Sequence, residues 1–146
     1  MEKIIALYGP RNMGKTTTLK KLIDLLSVIA KNYEISFYKE VWAYFKINGK
    51  KIVVCTPGDN KDIVKGNINY TKSYDCDIFV TAARTRGGSV DELKKFTNKK
   101  EAELIWVQKE DDESKNNCIA AGLFSLIVKD VIPDFDNFVS AEEENS

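Results

Sequence analysis

The chain alternates short, wholly apolar runs with longer stretches whose apolar positions recur every three or four residues. The first run, Lys3–Tyr8, closes at Gly9-Pro10 and has the pattern of a buried strand. Over Lys15–Ala30, the residues Leu19, Leu22, Ile23, Leu26, Ile29 and Ala30 form one stripe of an amphipathic helix. Glu34–Ile47, rich in β-branched and aromatic residues, reads as a strand with a break near Lys39-Glu40. Asn48-Gly49 follows, a pair suited to a type I′ hairpin, whose central residues both need positive φ. Lys51–Thr56 then returns antiparallel. Its centre, Ile52-Val53-Val54-Cys55, is apolar on both faces, and Pro57-Gly58 ends it.

Further along, Asn60–Tyr70 carries only a weak pattern and predicts a short irregular helix. Asp77–Ala83 is another buried strand. Ser89-Val90-Asp91-Glu92 has capping-box spacing, and Val90, Leu93 and Phe96 continue it as a helix. Glu103–Val107 predicts a strand. Ser114 predicts the cap of a last helix carrying Ile119, Leu123, Leu126 and Ile127, which Pro133 stops. Strands alternating with helices predict a three-layer α/β fold. Its sheet is expected to be mostly parallel and five-stranded, with the second and third strands as an antiparallel hairpin. One domain spans 1–133, followed by an acidic tail, 134–146. In such folds ligands bind outside the C-terminal strand ends.

Composition narrows the chemistry. A chain of 146 residues can bury a core without disulfides or metal, and the three cysteines, Cys55, Cys76 and Cys118, suggest no disulfide framework. Twenty-two basic and 22 acidic residues cancel, so there is no clear nucleic-acid signal. No apolar run approaches the ~18 residues of a membrane span, and the N-terminus does not read as a signal peptide. A cytoplasmic protein without membrane contact is expected. There is no histidine, which removes imidazole bases and histidine zinc sites. Lysine supplies 19 of the basic residues, so Arg11, Arg84 and Arg86 stand out.

The strongest chemical signal is Gly9-Pro10-Arg11-Asn12-Met13-Gly14-Lys15-Thr16, which fits G-x-x-x-x-G-K-[ST] between a strand and a helix. Glycines let backbone N–H groups wrap a phosphate, and the helix N-terminus adds partial positive charge. Lys15 would reach the β- and γ-phosphates, and the Thr16 hydroxyl would hold Mg²⁺; Thr17 follows in the same turn. The motif resembles that of the P-loop NTPase superfamily. That resemblance implies Mg²⁺ with ATP or GTP.

The order of P-loop, helix, strand, hairpin and Thr56-Pro57-Gly58 loop looks like the Ras-like and translation-factor GTPases. In that family the third strand ends in D-x-x-G. Here Cys55 stands at the acidic position, and a thiol is a poor ligand for Mg²⁺. Asp59, four residues on, is the candidate to hold Mg²⁺ through water or to orient the attacking water. The guanine-reading motif [NT]-K-x-D has its counterpart in Gln108-Lys109-Glu110-Asp111. The resemblance implies that Lys109 covers the base and Asp111 accepts its hydrogen bonds. Gln108 departs from the motif, and no threonine occurs between Thr18 and Thr56 to serve the magnesium-binding switch. The chain resembles a reduced GTPase-like domain, with the base tilting slightly to ATP.

Arg84 and Arg86 follow a strand, in Ala83-Arg84-Thr85-Arg86-Gly87-Gly88. Their forked guanidinium groups suit a transferring phosphate or a second anionic group. Lys15, Asp59, Arg84 and Arg86 are thus the candidate catalytic residues. Gly9 to Thr17, Lys109 and Asp111 are candidates for binding nucleotide, and Thr16 and Asp59 for metal. The expected activity is NTP hydrolysis; a small-molecule or nucleotide kinase and a non-catalytic nucleotide-binding module are the alternatives. Tyr38, Trp42 and Tyr44 share one strand face and predict core beneath a helix. Phe135, Phe138 and Val139 in the tail are candidates to pack back or to dock a protein partner.

Overall fold

A computed structural model of the chain describes residues 1–10, 14–38, 40–110 and 112–133. Arg11, Asn12, Met13, Asp111 and the acidic tail lie outside them. The strands are β1 (Lys3–Tyr8), β2 (Asn32–Tyr38), β3 (Glu40–Ile47), β4 (Lys50–Cys55), β5 (Ile78–Ala83) and β6 (Glu103–Gln108). The helices are α1 (Lys15–Ile29), α2 (Lys61–Tyr74), α3 (Gly88–Lys100) and α4 (Asn116–Val131), with a 3₁₀ turn over Glu113–Lys115.

The sheet runs β2-β3-β4-β5-β1-β6 and is mixed. β4, β5, β1 and β6 pair in parallel, while β3 is antiparallel to both β4 and β2. It has six strands, not the expected five. The apolar run over residues 34–47 is two strands, β2 and β3, separated only by position 39 and paired with each other. The Asn48-Gly49 turn forms as expected, with φ of 51° and 80°.

Alternation of side chains divides the core between the two sheet faces. On one face Ile5, Leu7, Val54 and Val80 pack with Leu19, Leu22 and Leu26 of α1 and Leu123 and Ile127 of α4. On the other, Ile4, Ala6, Val53 and Phe79 pack with Val64 and Ile68 of α2 and Leu93 and Phe96 of α3. α2 is longer and more regular than its sequence pattern predicts, because Asn67 and Thr71 occupy buried positions of its stripe. Asn67 is satisfied there: its Nδ2 donates to the Pro57 carbonyl at 2.8 Å, and its Oδ1 accepts from Trp42 Nε1 at 2.9 Å. Tyr44 stacks on Tyr74 with centroids 4.2 Å apart, so α2 covers the aromatic face of β3.

Two capping expectations change. α3 is capped by Gly87, at φ 98°, and not by Ser89. Ser89 lies in the first turn, where its Oγ accepts from Arg84 N–H at 3.1 Å. The 3₁₀ turn before α4 is capped by Asp112, whose carboxylate accepts from Ser114 N–H at 2.9 Å.

All three cysteines are free thiols, and only Cys118 is exposed. Burial pushes the Cys55 pKa far up and that of Cys76 to about 12. Iodoacetamide at pH 8 is therefore expected to add one label to the native protein, at Cys118, and three after denaturation, as read by mass spectrometry. Rapid native labelling of Cys55 would contradict this packing of β4.

Candidate functional site

The chain leaves β1 and β5, which are neighbours, in opposite directions. α1 follows β1 over one sheet face and leads to β2, at the edge beyond β5, β4 and β3. α3 follows β5 over the other face and leads to β6. Their connections therefore diverge and open a crevice at the C-terminal ends, the usual place for a ligand in open α/β sheets.

Lys15 occupies this crevice. Gly14 adopts the left-handed conformation, φ 82°, and leads directly into α1. Lys15 is 6% exposed, and its Nζ donates to the carbonyls of Gly9, at 2.6 Å, and Ala83, at 3.0 Å. One carbonyl follows β1 and the other ends β5, so the ammonium bridges the two strands. Burial lowers the Lys15 pKa; Asp59 opposes that shift and Arg84 adds to it. Both groups are therefore within electrostatic reach of the ammonium.

The loop after β4 brings Asp59 to the same edge. Its Oδ1 lies 3.6 Å from Arg84 Nε. Arg84 Nε is buried and makes no hydrogen bond. Arg86 is exposed and pairs with no described residue. The two arginines thus separate: Arg84 faces the crevice residues, whereas Arg86 does not join them.

β4, which ends in Cys55, is one place removed from β1, because β5 lies between them. β5 thus separates the strand that ends in Cys55 from the strand that leads into Gly9-Pro10. Cys55 is wholly buried among apolar side chains of the α2–α3 face.

A carboxylate that sequence reasoning missed stands beside Thr16. Glu40 Oε2 accepts from Thr16 Oγ1 at 3.5 Å and from Thr56 Oγ1 at 2.7 Å. The hairpin register could have revealed it. Trp42 pairs with Cys55, which carries Glu40, two residues earlier on β3, past the end of β4 to the crevice edge.

On the other flank, Lys109 extends β6, its N–H donating to the Tyr8 carbonyl at 2.9 Å. Its side chain is buried, with Nζ donating to the Glu110 carbonyl. A Cβ placed on Gly14 would lie 3.5 Å from both Lys109 Cε and Asn116 Nδ2. Asn116 is buried, and its Oδ1 has no hydrogen-bond partner. Gly9 is buried, Gly14 and Thr16 are half-buried, and Pro10 and Thr17 are exposed.

Among the described residues no three histidine, cysteine or acidic side chains cluster to hold a metal. No helix among them is long and apolar enough to cross a membrane. The chain matches no family model, no curated protein and no solved structure.

Proposed function

We propose that the chain is a P-loop nucleoside triphosphate-binding protein that hydrolyses ATP or GTP with Mg²⁺, a small ATPase- or GTPase-like switch. The observation that carries this reading is the Lys15 ammonium, buried at the crevice between β1 and β5 within the intact G-x-x-x-x-G-K-T motif. A cation so placed, beside the N-terminus of α1, suits the β- and γ-phosphates.

The donor chemistry fits magnesium. Thr16 offers a hard oxygen atom, as do the carboxylates of Asp59 and Glu40 at the same edge, and Mg²⁺ takes few protein ligands when phosphates and water supply the rest. The ion would neutralise charge on the β- and γ-phosphates. Lys15 binds those phosphates, Asp59 orients the attacking water, and Arg84 offsets the charge that develops on the transferring group. A slight preference for ATP is expected, since Gln108 stands where the guanine-reading motif has Asn or Thr.

Lys15→Ala is expected to weaken triphosphate binding by ~1–3 kcal/mol, the range for losing one charge-assisted hydrogen bond. Calorimetric titration of ATP and GTP into both proteins checks this and ranks the bases. Equal affinities in wild type and variant would overturn the P-loop reading.

A further inference from the structure

We propose that Glu40, at the start of β3, supplies the carboxylate of the Mg²⁺ site, with Thr56 as its positioning residue. This rests on the nucleotide-binding reading above and names a residue that the P-loop motif does not contain.

The hydrogen-bond directions carry the argument. Thr56 is 1% exposed, and its Oγ1 accepts from Val41 N–H at 2.9 Å. Its own proton is therefore directed to Glu40 Oε2, 2.7 Å away. Thr56 N–H in turn donates to the Val41 carbonyl at 3.0 Å, so Thr56 is tied to the Val41 backbone by two bonds. The Glu40 carboxylate, on β3, is thereby fixed by the residue that follows β4.

The same oxygen accepts from Thr16 Oγ1 at 3.5 Å. A hydroxyl has one proton to give and lone pairs to offer. With its proton aimed at Glu40, Thr16 keeps a lone pair for a cation, and the carboxylate adds negative charge beside it. Second partners of this kind orient a metal ligand and raise its basicity.

Asp59 is the competing carboxylate, but it is engaged differently. It faces Arg84, whereas Glu40 makes no ion pair with a described residue. Cys55, at the family's acidic position, is sealed in the core. Glu40 therefore fills a role that Cys55 cannot.

The test is equilibrium binding of a fluorescent ATP or GTP analogue, with EDTA and with Mg²⁺. Wild type should bind more tightly with Mg²⁺. Glu40→Gln should leave the EDTA affinity within about twofold and remove most of the Mg²⁺ enhancement, on the order of tenfold for one charge-assisted contact. Thr56→Val should lose part of it, and Glu40→Asp should retain part. Melting curves without nucleotide establish that each variant is folded; Glu40→Asp serves if Glu40→Gln is not. A Glu40→Gln protein with the full Mg²⁺ enhancement overturns the assignment while leaving the P-loop reading intact. So does loss of the enhancement in Asp59→Asn alone. A wild-type chain that binds no triphosphate under either condition overturns both.

Discussion

Arg84→Ala should lower triphosphate turnover by ~10²-fold or more, with a much smaller change in nucleotide affinity. Phosphoryl transfer needs compensation for charge that grows on the transferring group, and Arg84 is the arginine that the structure brings to the crevice. Its Nε is buried without a hydrogen bond and lies 3.6 Å from Asp59, a geometry that leaves it an acceptor still to find. Asp59→Ala should also reduce turnover more than affinity, because it removes the group assigned to the water. The two losses should fall short of additive in the double variant, since the side chains are partners. Neither change should move the melting temperature much, because a half-exposed ion pair contributes little to stability. Steady-state phosphate release and binding titrations together check this. Arginine loss expressed mainly as a higher KM for an added acceptor would point to the kinase alternative. Full turnover in Arg84→Ala would remove the residue from the reaction.

Gly58→Ala should destabilise the protein by about 3 kcal/mol or more. A Cβ at this position would lie 1.9 Å from the Ala82 carbonyl oxygen and 2.3 Å from its carbon. Backbone at the end of a central strand cannot rotate away as a side chain can. The loop after β4 must lift, and it would carry Asp59 with it. The expected fall in melting temperature is about 10 °C, at the usual few degrees per kcal/mol for a chain of this size. A fall of under about 2 °C would show that the loop yields freely.

The hairpin and the first strand–helix unit were legible because local chemistry dictates them. Asn48-Gly49 can only turn, Lys3–Tyr8 can only be buried, and the α1 stripe repeats without interruption. Strand order was not legible, because which parallel strands pair is decided by crossovers and not by any one segment. The break between β2 and β3 was legible near Lys39-Glu40, but not that the two halves fold back and pair with each other, which continuous β-forming chemistry on either side conceals. α2 was obscured by Asn67 and Thr71, polar residues whose partners lie elsewhere in the fold. Glu40 was missed for a related reason: nothing near it in the chain marks it, and only the β3–β4 register and the Thr56 hydroxyl bring it to Thr16.

The two carbonyls that hold Lys15 leave it one proton to spare. An ammonium carries three protons, and Gly9 and Ala83 take two of them, so its charge is met by protein acceptors and one donor is left over among the described residues. An anion that took that third proton would have to break neither bond. The edge itself does not hang on the lysine: Gly9 N–H also donates to the Ala83 carbonyl, at 3.2 Å, and keeps the turn after β1 tied to the end of β5. The crevice floor is thus fixed by the protein's own bonds, and Arg84, one residue past Ala83, starts from an anchored carbonyl.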